Sequence, residues 1–351
     1  MVIINNGFKG QVIEVNSSNP DDKDNLYKEL LSARPRTIKL VTVDDEEKYI
    51  KVKIGDVNSY SKVLDYIRNA QGLLVKKFIF ISIVFSSKKK SFNNELNGYK
   101  QLIKIFKNDI NKYTTVKHGF TFNKKRIYGI IFKNNYYIFV EKCYKVIEDI
   151  NFTQKTYDKC TNDLIEALNI LNAHDYIHND LKPNNIIQCR DRFKIIDWES
   201  SNKISKQSVS IINTKNGNLV HNHPIKFYNL GILLFMYNYI YGYELATYDY
   251  LKGLSTHKTI LKIVNETFNE VLKKSRELSL IEPKEPKELK TKKTKKTMTY
   301  NEIPEDKNYF MKLYDYYSFA LTMIYIAEKN NLKYNKKLLD PILAKFMIKM
   351  I

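Results

Sequence analysis

The most restrictive feature of this chain is an eight-residue run near its middle, His178-Asn179-Asp180-Leu181-Lys182-Pro183-Asn184-Asn185. Directly after it, Ile186-Ile187 predicts a short strand, and Phe193-Lys194-Ile195-Ile196 predicts a second strand that ends at Asp197. The two strands are close enough in sequence to pair as a hairpin. Such a hairpin brings together four polar side chains: Asp180, Lys182, Asn185 and Asp197.

Two carboxylates, an ammonium and an amide in one place suit the chemistry of phosphoryl transfer. The transferred group needs mainly charge neutralisation and alignment, because little covalent chemistry falls to the protein. The pattern His-x-Asp-Leu-x-x-x-Asn, with Lys182-Pro183 inside it and Asp197 after a strand, resembles the signature of the eukaryotic-type protein kinase superfamily. A chance surface loop rich in Asn and Asp is the competing interpretation, and the number of matching positions disfavours it.

The resemblance implies an α+β fold with two lobes, a small antiparallel-sheet N-lobe and a mostly helical C-lobe, with ATP bound between them. It implies that Asp180 accepts the proton of the substrate hydroxyl and that Lys182 steadies the transferring phosphoryl group. It also implies that Asn185 and Asp197 hold Mg2+. The expected cofactors are therefore ATP and Mg2+, and His178 is expected to pack under the loop.

The resemblance extends upstream, with weaker motifs. Ile54-Gly55-Asp56-Val57-Asn58-Ser59-Tyr60-Ser61-Lys62-Val63 resembles the hairpin that covers the phosphates of ATP, although most of the glycines are missing. On that basis Ile54 and Val63 are assigned to the nucleotide site. The strand predicted next resembles the third strand of the family, with Lys76 as the lysine that pairs with the phosphates. Glu95, nineteen residues later, is the expected ion-pair partner of Lys76.

Glu95 falls on a predicted helix. Ser91 is placed to cap this helix at its start. The helix is indicated by apolar residues that share one face: Phe92, Leu96, Tyr99, Leu102, Ile103 and Phe106.

A second assignment of the phosphate loop stays open. Asn5-Asn6-Gly7-Phe8-Lys9-Gly10-Gln11-Val12 retains two glycines at suitable offsets, and Lys53 would then be the pairing lysine. That assignment needs a long insertion before Glu95, so the spacing favours Lys76. A solvated strand residue is the alternative role for either lysine.

Tyr136-Tyr137-Ile138-Phe139-Val140-Glu141-Lys142-Cys143 resembles the fifth strand and the hinge of the family. The resemblance implies that backbone groups around Glu141 and Cys143 hydrogen-bond adenine and that Val140 shapes the back of the adenine pocket. Only the position of this segment supports that assignment, because an ordinary core strand has the same composition.

The start of the central C-lobe helix has two candidates. Asp315-Tyr316-Tyr317-Ser318-Phe319-Ala320-Leu321 resembles it, and by the resemblance Asp315 anchors the backbone of the loop that contains Asp180. Lys226-Phe227-Tyr228-Asn229-Leu230-Gly231-Ile232 also resembles it, with Lys in place of Asp. We favour Asp315, which requires an insertion between it and Asp197.

The family pattern is broken at two positions. The Asp-Phe-Gly triplet is replaced by Asp197-Trp198-Glu199, which exchanges a glycine for a residue with less backbone freedom. Asn179 replaces the Arg that binds a phosphorylated activation loop, so we expect activity independent of such phosphorylation.

The expected activity is that of an ATP- and Mg-dependent serine/threonine protein kinase acting on protein Ser or Thr hydroxyls. Lys182, two residues after Asp180, favours a protein substrate. One alternative is a pseudokinase scaffold that binds ATP or partners without turnover, motivated by the loss of glycines and by Glu199. The other is a small-molecule kinase of the aminoglycoside or choline kinase type, motivated by His178-Asn179-Asp180 and Asp197-Trp198-Glu199.

The composition bounds the remaining expectations. A formal charge of +20, from 58 Lys and Arg against 38 Asp and Glu, could attract nucleic acid, but much of the Lys is dispersed along the chain.

Three scattered cysteines predict neither a disulfide framework nor a structural zinc site, which favours a reducing compartment. No signal peptide or membrane span is visible, so an intracellular, cytoplasmic location is expected. The Lys- and Asn-rich style resembles kinases of large DNA viruses, which would add the host cytoplasm or the virion.

The predicted organisation has three parts. Residues 1–45 form an N-terminal extension, residues 46–141 the N-lobe and residues 142–351 the C-lobe. A Lys-, Glu-, Pro- and Thr-rich insertion at about 275–305 lies within the third part and is predicted to be mobile, with a weak nucleic-acid contact as its possible partner.

Overall fold

The computed structural model describes residues 10–16, 25–33, 36–43, 49–70, 73–78, 88–204 and 307–349. The chain divides into two units, which we name the sheet unit and the helical unit. The sheet unit comprises Met1–Asp149 and Asn185–Ser201, and the helical unit comprises Ile150–Asn184 and Asn202–Ile351. The three-part organisation predicted from sequence therefore differs from the observed division, because the hairpin after Asn184 packs with the sheet unit.

A six-stranded antiparallel sheet forms the centre of the sheet unit. Its strands are β1 (Gly10–Glu14), β2 (Thr37–Val41), β3 (Tyr49–Lys53), β4 (Leu73–Phe78), β7 (Gly129–Phe132) and β8 (Asn135–Glu141), in the order β1-β4-β8-β7-β2-β3. The helices are α1 (Leu26–Ala33), α2 (Val57–Asn69), α3 (Lys88–Phe106) and α4 (Ile110–Tyr113). A separate hairpin joins β5 (Phe120–Phe122) to β6 (Lys125–Ile127).

The strands described within the first 45 residues belong to the sheet, contrary to the expectation that residues 1–45 form an extension of their own. β1 pairs with β4, the strand that contains Lys76, and β2 pairs with both β3 and β7. β1 begins at Gly10, at the end of the alternative phosphate loop. Residues 5–9 of that loop lie outside the described residues.

The predicted hairpin at 54–63 is wrong, because residues 57–69 form helix α2. Asp56 caps this helix by accepting a hydrogen bond from the backbone N–H of Ser59 at 3.3 Å. Val63 and Ile67, four residues apart, share its buried face and belong to an apolar core cluster of the sheet unit. Ile54 lies in the turn after β3 and is 42% exposed. Neither Ile54 nor Val63 therefore belongs to a phosphate-covering hairpin.

The helix predicted around Glu95 is present as α3. Its buried face contains Phe92, Leu96, Tyr99, Leu102 and Phe106, as the apolar spacing indicated. The helix begins at Lys88, so Ser91 lies inside its first turn and is buried instead of capping it.

The predicted hairpin after the polar run is also present. β11 (Ile186–Cys189) pairs with β12 (Arg192–Ile195) in antiparallel register, with Ile186 opposite Ile195. The short strand β9 (Lys145–Val146) pairs with the other edge of β11.

A disulfide joins Cys143 to Cys189, so the expectation that the cysteines would not pair is wrong. Cys143 follows β8 and Cys189 ends β11, and the backbone N–H of Tyr144 donates to the carbonyl of Gln188 at 2.8 Å. This neighbouring contact brings two segments together that are 46 residues apart in sequence. The third cysteine, Cys160, is a buried free thiol.

The helical unit contains α5 (Gln154–Ala173), α6 (Lys307–Lys329), α7 (Lys336–Lys349) and the short paired strands β10 (Tyr176–Ile177) and β13 (Asn202–Lys203). Thr153 caps α5 by accepting from the N–H of Thr156 at 3.3 Å. The apolar side of α5 packs on α6, where the hydroxyl of Tyr157 donates to the carbonyl of Met323 at 3.1 Å.

Two sequence predictions lie outside the described residues: the insertion at 275–305 and the alternative central helix at 226–232. No helix in the described ranges has the length and apolar character needed to cross a bilayer.

Gly98 is where α3 approaches the turn that follows Asp197. A Cβ atom at this position would lie 2.8 Å from the carbonyl oxygen of Trp198 and 2.8 Å from Oγ of Ser201. Gly98→Ala should therefore lower the free energy of unfolding by about 1–2 kcal/mol, because the clash with backbone exceeds the helix-propensity gain of about 1 kcal/mol. Urea unfolding measures this change.

Gly55→Ala is the matched control, because nothing lies within 4 Å of a Cβ atom there. We expect its free energy of unfolding to stay within about 0.5 kcal/mol of wild type. Equal stabilities for the two variants would contradict the close approach at Gly98.

Candidate active site

The ammonium of Lys76 forms ion pairs with two carboxylates in the sheet unit. β4 places Lys76 in the interior of the sheet, and α3 presents Glu95 to it with a distance of 2.5 Å between Nζ and Oε2. The same Nζ lies 3.0 Å from Oδ1 of Asp197, which follows β12. The ion pair predicted between Lys76 and Glu95 is thus present, and Asp197 joins it.

Burial makes this contact strong. The side chain of Glu95 is only 1% exposed and that of Lys76 is 17% exposed. Burial alone disfavours the charged lysine, but the negative charges of Asp197 and Glu95 outweigh it and raise the pKa of Lys76. Lys76 is therefore a fixed positive charge. The hydroxyl of Tyr99 donates to the second oxygen of Glu95 and holds the carboxylate in place.

Lys53, the alternative lysine, is in a different environment. It is the last residue of β3, which is the edge strand of the sheet, and its side chain is exposed. This position agrees with the solvated role that lysines on strands usually have.

The backbone conformation of Asp197 and the packing of the next residue, Trp198, fix the position of Asp197. Its backbone lies in the left-handed region, with φ of 64°, which Asp tolerates better than most residues. Trp198 is 1% exposed and its indole N–H donates to the carbonyl of Ile195 at 3.1 Å. Trp198 therefore packs as an apolar plug next to Asp197, and Gly98 allows α3 to pack against it.

Asn185 and Asp197 lie at the same end of the β11–β12 hairpin. The carbonyl of Asn185 accepts from the N–H of Ile196 at 2.9 Å, which continues the register of the two strands. An amide oxygen and a carboxylate are hard oxygen ligands of the kind that Mg2+ prefers. The residue types are therefore of the kind that a magnesium ion requires, and the assignment of Asn185 and Asp197 as its ligands stays a prediction.

The polar run in the helical unit contains a second charged pair. Nζ of Lys182 lies 2.9 Å from Oδ2 of Asp180, and the two side chains are 7% and 10% exposed. The backbone N–H of Asp180 donates to Nδ1 of His178 at 3.2 Å. His178 is fully buried, in agreement with its predicted packing under the loop.

Asp315 anchors this polar run, as predicted. Its carboxylate accepts from the backbone N–H of His178 at 2.5 Å and from that of Asn179 at 2.9 Å. Asp315 lies inside α6 instead of at its start. Asn179 has φ of 63°, a left-handed conformation that Asn adopts at lower cost than most residues.

Asp315 is 3% exposed, and burial is the main cause of its raised pKa of about 6. The two backbone N–H groups act in the opposite direction, and the nearby charge of Asp180 adds to the rise.

The predicted hinge residues have structural contacts of their own. The N–H of Glu141 donates to the carbonyl of Thr115 at 2.8 Å. The carboxylate of Glu141 binds Nζ of Lys194, and Arg190 Nε lies 4.0 Å from it. Cys143 is buried in its disulfide with Cys189. Sequence reasoning missed Lys194, because a buried lysine on a strand has no local signal.

Another group of potential metal ligands lies in the sheet unit. A carboxylate oxygen of Glu141 and the sulfur atoms of Cys143 and Cys189 lie within 4.8 Å of one another. The two sulfur atoms are bonded to each other, so they do not offer thiolates to a metal ion in this state.

No protein-family model matches the chain. Over 153 residues the chain is 31% identical to the dual specificity protein kinase zak2 of Dictyostelium discoideum, and the match covers 42% of this chain. The chain spans 21% of the length of that kinase. The similarity supports a kinase-like function.

Lys76→Met removes the cation from a buried carboxylate. The expected loss in free energy of unfolding is about 3 kcal/mol or more, because Glu95 would remain buried without its cation. Lys53→Met, on the exposed edge, should change it by less than about 0.5 kcal/mol. Chemical unfolding of both variants measures the difference, and similar losses would contradict the proposed environment of Lys76. The double variant Lys76→Met/Glu95→Leu should recover most of the loss.

Asp315→Asn tests the buried carboxylate through pH. The folded pKa is about 6 against an ordinary value of 3.8, so between these values the folded state holds a proton that the unfolded state has released. The stability contribution of Asp315 is complete below pH 3.8 and is lost as pH rises through about 6, by up to about 3 kcal/mol.

The Asp315→Asn variant has no such titration. The free energy of unfolding of wild type minus that of the variant should therefore fall by about 2.4 kcal/mol from about pH 4 to about pH 7.5. A difference that does not change with pH would show that Asp315 titrates normally.

Proposed function

We propose that the chain is an ATP- and Mg-dependent phosphotransferase that moves the γ-phosphoryl group of ATP to Ser or Thr hydroxyls of proteins. The observation that carries the proposal is the contact of Lys76 with both Glu95 and Asp197. The kinase resemblance assigns all three residues to the nucleotide and metal site. The similarity to a dual specificity protein kinase over 42% of the chain supports the same activity class.

Each residue has a role in this proposal. Lys76, held in position by Glu95, neutralises phosphate oxygens of the nucleotide. Asn185 and Asp197 would hold Mg2+, which supplies charge neutralisation and alignment of the phosphates when bound.

The acceptor side of the reaction uses the helical unit. Asp180 accepts the proton of the attacking hydroxyl, and Lys182, 2.9 Å from it, contributes positive charge for the transferring phosphoryl group. Asp315 is a positioning residue, because it binds the peptide N–H groups of His178 and Asn179 that precede Asp180.

We propose that adenine binds at the end of β8, through backbone groups between Glu141 and Cys143. The N–H of Glu141 already donates to Thr115, so the nucleotide would use the groups that follow it. Ile54 and Val63 have no part in this proposal, because α2 and the turn before it replace the expected hairpin.

A protein substrate is favoured by Lys182. A lysine two residues after the general base is typical of the protein-phosphorylating members of the superfamily that the sequence resembles. The dual specificity in the printed name of the relative belongs to that protein.

Phosphorylation of a generic basic protein with magnesium and ATP tests the proposal. Asp180→Asn should lower turnover by at least about 100-fold, because the general base is lost while the shape of the side chain is kept. Lys76→Met should lower turnover by at least about tenfold. Lys53→Met is the control and should retain wild-type activity.

Two outcomes would overturn the protein kinase proposal. Equal incorporation of phosphate by wild type and Asp180→Asn would leave a binding scaffold. Turnover with aminoglycosides or choline, without transfer to protein, would assign a small-molecule kinase. Phosphoamino-acid analysis of the product separates Ser and Thr from Tyr as acceptors.

A further inference from the structure

The disulfide between Cys143 and Cys189 lies beside a cavity of the sheet unit. The cavity has a volume of about 270 Å3, and Cys189 is one of its lining residues. Cys189 is otherwise shielded, with an exposed fraction of 1%. The cavity therefore adjoins this end of the disulfide, and a small molecule in the cavity reaches the sulfur when the atoms that cover it move aside.

Positive charge dominates the wall of this cavity. Four basic and two acidic side chains line it: Lys117, Arg190, Arg192, Lys194, Glu141 and Asp191. The cavity wall therefore has two more basic than acidic side chains. A carboxylate oxygen of Glu141 lies within 4.8 Å of both sulfur atoms, but it is bound by the buried ammonium of Lys194. The negative charge nearest to the disulfide is thus already neutralised.

We propose that this cavity is a thiol–disulfide exchange site. It takes a small thiol with net negative charge, of the chemical class of glutathione, and directs the thiolate to the sulfur of Cys189. A positive cavity concentrates anions and stabilises the negative charge that sulfur carries during exchange. This site does not depend on the phosphotransferase activity proposed above.

The exchange has two balanced steps. In the first, the thiolate bonds to Sγ of Cys189 while the Cys143–Cys189 bond breaks, and Cys143 leaves with the electron pair and takes a proton from water. In the second, another thiolate attacks the small-molecule sulfur of the mixed disulfide and releases the Cys189 thiolate. Two small thiols are oxidised to one disulfide, and the protein disulfide is reduced to two thiols.

Reduction rates with thiols of different charge test the proposal. Glutathione, 2-mercaptoethanol and cysteamine carry successively less negative charge as thiolates. Rate constants per thiolate at low ionic strength should follow that order, with about a tenfold span between glutathione and cysteamine. Added salt should compress the span. The readout is the number of free thiols in the denatured protein, rising from Cys160 alone to all three cysteines.

Charge reversal at the cavity supplies the decisive comparison. Lys117→Glu/Arg190→Glu changes two exposed lining residues and should reduce the glutathione-to-cysteamine ratio by about tenfold or more. Lys124→Glu/Arg126→Glu makes the same change in charge on the exposed β5–β6 hairpin, away from the cavity lining, and should keep the wild-type ratio. An equal ratio of the glutathione and cysteamine rate constants in wild type and both variants would overturn the proposed exchange site.

Two variants with one cysteine replaced in each test which sulfur is attacked. Cys143→Ser leaves Cys189 as the reactive thiol, and Cys189→Ser leaves Cys143. With oxidised glutathione, Cys143→Ser should form the mixed disulfide faster, by mass spectrometry, because only Cys189 lines the cavity. Faster modification of Cys189→Ser would overturn the assignment, as would three free thiols in protein prepared without reductant.

Discussion

The ammonium of Lys76, held by the carboxylates of Glu95 and Asp197, is the contact on which the sheet unit depends. It joins segments that are 19 and 121 residues apart in sequence. Glu95 is almost fully buried, and a carboxylate in such a place is stable only with a cation beside it. The lysine therefore fixes the position of α3 against β4 and that of the turn after β12. The small size of Gly98 allows that turn to approach the helix.

The helical unit uses a buried carboxylate in a different way. Asp315 meets peptide N–H groups instead of a cation, and its hydrogen bonds hold a loop that lacks regular secondary structure around His178 and Asn179. Buried peptide groups need hydrogen-bond partners, and a loop has few from its own backbone. A side chain on α6 thus fixes the start of the polar run, and the main cause of its raised pKa is its burial.

Local patterns predicted several features correctly. The β11–β12 hairpin, helix α3 and the pair of Lys76 with Glu95 follow from apolar spacing and motif intervals that act over a few residues or one element. The hairpin predicted at 54–63 failed, because the apolar residues Val63 and Ile67 also fit a helix, and the capping Asp56 settles the choice. The roles of these residues in binding nucleotide and magnesium stay predictions.

The sequence by itself determined the chemistry of the candidate site: which carboxylates, amide and lysines are present, and in what order along the chain. The tertiary structure alone decided the places of β1 and β2, since these two strands complete the sheet by hydrogen bonds to distant strands. It also decided the pairing of Cys143 with Cys189, across 46 residues. Such contacts depend on how separate elements pack, and packing between distant segments has no signature in local residue order.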